Sequence, residues 1–163
     1  MDFQSLRIKA RYHADRAASP LPYLLLFLAV GICAACRMPP ECNQFYELPH
    51  TERYAKFPTY PLDKQITIYL CAMNREPPDL RLAGLIAEEG DKVIPFLLEK
   101  ARAQKSENAQ DDIVYIFEVM AQRGGLRGRA DVVEDLQKIV QSMKNESIRR
   151  RSQGRLAKIE ADI

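Results

Sequence analysis

The sequence predicts an all-α fold, a short α-solenoid of stacked helical hairpins that follows an N-terminal signal or anchor helix. Three observations support this prediction. Apolar residues recur at helical spacing from residue 63 onward, turns rich in glycine or proline separate the helical segments, and one hairpin pattern occurs twice at an interval of 34 residues. The predicted organisation is a signal or anchor over 1–36, an extended arm over 37–62 and a helical domain over 63–163.

The composition narrows the function classes before any motif is considered. The 163 residues suffice for one compact domain, and 24 basic residues nearly balance 22 acidic ones, which leaves a formal charge of +2. Proteins dedicated to nucleic-acid binding usually carry a strong basic excess, so we expect no nucleic-acid partner. Two histidines and four cysteines provide few ligands for a metal or redox centre, so we expect no cofactor and no metal.

Residues 1–36 have the features of an export signal or a membrane anchor. A net basic start precedes an uncharged apolar run of 15 residues from Leu21 to Ala35. As a helix, this run would rise about 22 Å, less than the roughly 30 Å hydrocarbon core of a bilayer. It can span a membrane only if the bilayer thins or the ends of the run snorkel.

The end of this run, Cys33-Ala34-Ala35-Cys36, resembles the lipobox of bacterial lipoproteins. In that family small residues precede a cysteine that is lipidated and becomes the mature N-terminus, which implies lipidation of Cys36. The departure is Cys33, where the family usually has leucine or another aliphatic residue. An uncleaved anchor and simple secretion stay open as alternatives. The first two interpretations tether the protein to the bacterial cell envelope, with the helical domain on the periplasmic side.

The two remaining cysteines, Cys42 and Cys71, are a candidate disulfide. An even pair in an oxidising compartment favours a bond, which would tie the arm to the first helix of the domain. The alternative is a buried thiol at Cys71 and a free thiol at Cys42.

Residues 37–62 are predicted to form an extended arm, because prolines interrupt any helical pattern there. The segment is also rich in aromatic residues, which is unusual for a free linker. We expect the rings to pack back on the domain, and a surface that docks a partner is the alternative. The prolines are Pro39, Pro40, Pro49, Pro58 and Pro61, and the aromatic residues are Phe45, Tyr46, Tyr54, Phe57 and Tyr60.

Three helices are predicted between residues 63 and 103. The first begins at Asp63 and has apolar residues at helical spacing, although the alternation of its isoleucines also fits a strand. Asp79 is the predicted cap of the second helix, which ends at Gly90. The third begins at Asp91 and tolerates Pro95 near its first turn.

Three more helices follow a polar loop at 104–108. The fourth has Asp111 and Asp112 near its predicted start, where acidic side chains interact favourably with the helix dipole. A glycine-rich turn separates it from the fifth, which opens at Asp131 and has a regular apolar stripe. The last begins near Glu146 and is mostly charged.

The predicted helices contain an internal repeat. The segments 86–90 and 120–124 each end a helix, and each precedes an acidic cap and a branched apolar pair. The segment IAEEGDKVIPFLLEKA resembles a HEAT-type repeat in its glycine turn and in the early proline of its second helix. The resemblance covers 79–143 and implies hairpins that stack into an extended surface. An irregular helical bundle is the alternative.

No combination of residues in the sequence indicates catalysis. His13 lies in the targeting segment and His50 in the arm, and neither a phosphate-binding loop nor a nucleophile elbow occurs. We therefore predict that the protein is not an enzyme. A hydrolase that works without histidine is the alternative from a different class.

Two groups of arginines are candidate contacts for a partner or an anion. The first lies in the glycine-rich turn, whose backbone freedom could cradle an anion, and the second gives the last helix a basic face that anionic lipid or an acidic protein would attract. A solvated loop and the polar outer face of a terminal helix are the ordinary alternatives. The residues are Arg123, Arg127 and Arg129 in the turn and Arg149, Arg150, Arg151 and Arg155 in the helix.

These features predict a membrane-tethered exported protein whose helical domain binds another protein of the envelope. The expected partners are a membrane, contacted through lipid or the N-terminal helix, and another protein. A structural accessory subunit of an envelope complex is the alternative closest to this interpretation.

Overall fold

The computed structural model describes residues 38–163, and the predicted signal, with Cys33 and Cys36, lies outside this part of the chain. The described part has eight α-helices, two short 3-10 helices and no β-strand, which confirms the all-α class. The α-helices are α1 (Pro40–Glu47), α2 (His50–Lys56), α3 (Leu62–Met73), α4 (Arg81–Ala87), α5 (Ile94–Ala103), α6 (Glu107–Gln122), α7 (Ala130–Ser142) and α8 (Glu146–Asp162). The 3-10 helices are Phe57–Thr59 and Gly90–Val93.

The segment predicted as an extended arm, 37–62, instead contains α1, α2 and a 3-10 helix in its described part. Pro40 is the first residue of α1, and Pro49 and Pro61 directly precede α2 and α3. Proline suits these positions because its fixed φ matches a helix start and its missing N–H would have no helical partner there. The prolines therefore begin helices instead of preventing them.

A disulfide joins α1 to α3. The sulfur atoms of Cys42 and Cys71 are 2.13 Å apart, and the Cα atoms are 6.4 Å apart. The rings of Phe45 and Phe57 are completely buried in the same core as the later helices. The segment before α3 thus belongs to the domain through a covalent bond as well as through packing.

Helices α4 to α7 pack on one another. Helix α4 contacts α6, α5 contacts α6 and α7, and α8 packs on both α6 and α7. Gly90 begins the 3-10 helix between α4 and α5 with a φ of 68°, and Gly124 and Gly128 have φ values of 76° and 73° between α6 and α7. Glycine is favoured at these turns because other residues rarely adopt the left-handed conformation.

Helix α6 begins at Glu107, earlier than the loop predicted over 104–108 allows. The Ser106 hydroxyl accepts a hydrogen bond from the Ala109 amide at 3.4 Å and caps the helix. Asp111 and Asp112 therefore lie beyond the first turn, where the dipole of the helix start has little effect. Asp111 is instead completely buried against α8.

We expect reduction of the Cys42–Cys71 bond to lower the free energy of unfolding by about 3–4 kcal/mol, because the unfolded chain gains the entropy of the 29-residue loop. Urea unfolding, followed by circular dichroism with and without dithiothreitol, measures the change. The variant Cys42→Ser/Cys71→Ser is the control, since reductant should leave its midpoint unchanged. If the urea midpoint of the wild-type protein is the same with and without dithiothreitol, the predicted stabilisation by the disulfide is wrong.

Candidate functional site

A concave surface that encloses a volume of about 570 Å³ lies between α1, α2 and the loop that leads into α4. Helix α1 contributes Tyr46, α2 contributes Arg53 and Tyr54, the loop contributes Arg75, and Arg81 begins α4. We call this surface the Tyr/Arg depression. Its full lining is Tyr46, His50, Arg53, Tyr54, Arg75, Glu76, Pro77, Pro78, Asp79, Leu80 and Arg81.

Guanidinium groups stack on both tyrosines of the depression. The Arg75 guanidinium lies 4.1 Å from the centroid of the Tyr46 ring, and that of Arg81 lies 4.0 Å from the centroid of the Tyr54 ring. Arg53 approaches the Tyr46 ring as well, at 4.9 Å. Aromatic faces attract these cations, while the N–H groups at the edge of a stacked guanidinium can still donate hydrogen bonds.

Asp79 neutralises one of the three arginines. Its carboxylate accepts a hydrogen bond from the Tyr54 hydroxyl and another from Arg81 Nε, at 3.2 Å. Burial raises the pKa of Asp79, but the hydrogen bonds from Tyr54 and Arg81 and the Arg81 charge together hold it below its usual range. Asp79 is thus ionised at neutral pH and pairs with Arg81. It does not cap α4, which has no side-chain cap.

The other two arginines form no ion pair with any residue of the described chain. Arg53 donates from Nη2 to the carbonyl oxygens of Tyr46 and Leu48, at 2.9 and 3.1 Å, and so closes the end of α1. Arg75 is an exposed residue, and its guanidinium stacks on the Tyr46 ring. Two buried polar atoms of the depression, Arg53 Nε and the Tyr46 hydroxyl oxygen, also lack a hydrogen-bond partner within 38–163. Leaving such an atom unpaired costs about 1–3 kcal/mol.

The Tyr/Arg depression continues into a second concave surface of about 480 Å³ between α4 and α6, which we call the α4–α6 groove. The two surfaces share Leu80 and Arg81. Leu80 is a large apolar residue that is 48% exposed. The rest of the groove combines apolar and polar side chains: Leu85, Tyr115 and Val119 with Gly84, Glu88, Gln122 and Arg123.

Two of the three arginines predicted in the glycine-rich turn bind groups of the chain itself. Arg123 donates to the Gly84 carbonyl oxygen at 2.8 Å and pairs with Glu88 at 3.3 Å. Arg129 pairs with Asp131 at 2.9 Å. The side chain of Arg127 lies over Gly124. The structure therefore uses the turn to hold neighbouring helices, and it does not bring these arginines together around a common point.

The basic face of α8 lies mainly against two buried carboxylates of α6. Asp111 accepts from Arg151 at 2.7 Å and from Arg155 at 3.1 Å, and Glu118 accepts from Arg155 at 3.0 Å and from Lys158 at 2.7 Å. The remaining two predicted arginines are also engaged: Arg149 donates to the Met143 carbonyl oxygen, and Arg150 pairs with Glu146. Most of the positive charge of α8 is thus balanced inside the domain.

The sequence pointed to Tyr46 and Tyr54, as aromatic residues of the arm, but not to the arginines around them. Arg53, Arg75 and Arg81 belong to three different segments, so no local motif connects them. The available signal was the density of tyrosine, since four of the seven tyrosines of the chain lie between residues 46 and 81. Spacing alone does not show that these side chains converge.

Within residues 38–163, no group of three histidine, cysteine or carboxylate side chains is placed to hold a metal ion. None of the helices in that range is both long and apolar enough to cross a bilayer. No protein-family model, curated protein or solved structure matches the chain.

Replacing Arg155 by methionine should lower the free energy of unfolding by about 3 kcal/mol, because Asp111 and Glu118 stay buried without their shared cation. Arg150→Met is the matched control on the same helix. Its only ion pair within 38–163, with Glu146, is exposed, so the loss should be less than about 1 kcal/mol. Urea unfolding of both variants measures the difference. Equal losses of unfolding free energy in the two variants would contradict the prediction that the buried ion pairs stabilise the domain more than the exposed one.

Proposed function

We propose that the protein is an exported, membrane-tethered protein of the bacterial cell envelope and that its helical domain binds another protein. The resemblance of 33–36 to a lipobox supports lipidation of Cys36. The Cys42–Cys71 bond supports a periplasmic location of the domain, because disulfides form and persist in oxidising compartments.

The helical domain is, in this proposal, a short HEAT-like stack. The proposed hairpins are α4–α5 and α6–α7, and the contacts of α4 with α6 and of α5 with α7 support their stacking. Helix α3 packs against α4 and α6, and α8 packs against α6 and α7, so neighbouring elements continue the contacts beyond the two hairpins. Contacts between successive hairpins are typical of solenoids, which bind partners through extended surfaces.

The observation that carries the binding proposal is the set of arginines stacked on tyrosines in the Tyr/Arg depression. Tyrosine and arginine are enriched among the residues that contribute most to protein–protein affinity. Stacking holds Arg75 and Arg81 in place before a partner arrives, so less side-chain entropy is lost on binding. The exposed Leu80 adds an apolar contact at the junction with the α4–α6 groove.

Intact mass spectrometry of the membrane-extracted protein tests the tether. We expect a mature chain that begins at Cys36 and carries acyl groups, because the preceding residues resemble a lipobox. The Cys36→Ala variant should lack the acyl mass. A full-length chain without acyl groups would contradict lipidation and indicate an uncleaved anchor, and a shorter chain without acyl groups would indicate simple secretion.

Site-specific cross-linking in cells tests protein binding. A photoreactive benzoylphenylalanine at Leu80 should give a discrete protein adduct, since this position lies between the two concave surfaces and is exposed. The same residue at Lys138 is the control, because Lys138 is exposed on α7 and lines neither surface. The absence of a protein adduct at Leu80, or the same adducts at both positions, would contradict the proposal.

A further inference from the structure

We propose that the Tyr/Arg depression binds the carboxylate of an acidic side chain in an extended segment of the partner, and that a neighbouring apolar side chain of that segment enters the α4–α6 groove. This inference rests on the proposed protein-binding function and names the chemistry of the ligand. The occupant is an acidic peptide segment with interspersed apolar residues.

The charge balance of the depression selects an anion. Its lining carries three arginines against two carboxylates, those of Glu76 and Asp79. Asp79 is engaged by Tyr54 and Arg81. Arg53 and Arg75 have no ion pair within the described chain, so an incoming anion meets two cations that do not first have to release a carboxylate. The planar edge of a guanidinium matches the two oxygens of a carboxylate, and such charge-assisted bonds are stronger than neutral ones.

The unpaired polar atoms point to the same conclusion. Arg53 Nε and the Tyr46 hydroxyl are both donors that are buried without a partner. Buried polar groups nearly always have a partner in native proteins, and a carboxylate supplies the acceptors that these two lack. Both residues line the depression, where the exposed Arg75 stacks on Tyr46.

The α4–α6 groove favours a peptide over a lipid. An acyl chain is apolar along its whole length, whereas this groove places Glu88 and Gln122 beside Leu85 and Val119. A peptide presents both backbone amides and apolar side chains to such a mixed surface. The shared Leu80 gives the peptide a continuous path from the anionic contact to the apolar one.

Fluorescence anisotropy with the full-length protein in detergent tests the inference. The probe is a short fluorescein-labelled peptide of alternating glutamate and leucine, and the control probe has glutamine in place of glutamate. We expect the acidic probe to bind and the glutamine probe to bind at least about tenfold more weakly, as expected for the loss of charge-assisted hydrogen bonds.

The variants separate the depression from general charge attraction. Arg75→Gln should weaken binding of the acidic probe about tenfold, since Arg75 has no other ion pair within 38–163 to maintain. Arg150→Gln removes the same charge from α8 and should change the dissociation constant less than about twofold. Circular dichroism confirms that both variants are folded. Equal weakening by both variants, or equal binding of both probes, would overturn the inference.

Binding to vesicles with and without phosphatidylglycerol tests whether the depression binds an anionic lipid instead of a peptide. Binding to the anionic vesicles that Arg75→Gln abolishes, without binding of the acidic probe, would overturn the peptide assignment. Failure of the inference is distinct from failure of the proposed function. A specific protein adduct at Leu80 combined with no probe binding keeps the protein-binding role and rejects the acidic ligand.

Discussion

The ion pairs between buried carboxylates of α6 and cations of α8 constrain the whole domain. Asp111 accepts hydrogen bonds from Arg151, Ser152 and Arg155, which compensate for its removal from water. A shift of α8 along α6 would leave the carboxylate buried without these partners, so the pairs select one register. The neighbouring Asp112 has no salt bridge within 38–163, and burial together with the Asp111 charge raises its pKa to about 6. The cations of α8 therefore form ion pairs with Asp111 and not with Asp112.

Because α8 fixes α6, α6 can act as the support for the candidate site. The Tyr69 hydroxyl donates to the Asp112 carbonyl oxygen at 2.6 Å and joins α3 to α6. At the other end of α6, Arg123 donates to the Gly84 carbonyl oxygen. A Cβ atom at Gly84 would lie 2.9 Å from Arg123 Nη2, so a larger residue there would require the Arg123 side chain to shift. These contacts position α4, and with it the residues that join the two concave surfaces.

Helical periodicity was sufficient to predict most of the fold, because the apolar stripes from α3 to α8 are local features of the sequence. The helices in 37–62 were not predicted, because their prolines indicated an interrupted helix. Proline prevents a helix interior but favours a helix start, and the residue type alone does not distinguish the two positions. The partners of Asp111 and Glu118 lie some 40 residues away in the sequence. Matching spacings on two helices show that such pairs are feasible, but only the packed structure shows which helices meet.

The same consideration explains why the best candidate site differs from the most basic part of the sequence. Whether an arginine is available to a partner molecule depends on the carboxylates and aromatic rings near it in the fold. The number of basic residues in a segment contains no information about these neighbours. Arg155 is a structural residue because buried carboxylates surround it. Arg75 lies on a tyrosine ring and has no carboxylate partner in 38–163, so its charge is available to a partner molecule. The ion pairs inside the fold therefore distinguish cations that stabilise the structure from cations that can bind a partner. The density of basic residues along the chain does not make this distinction.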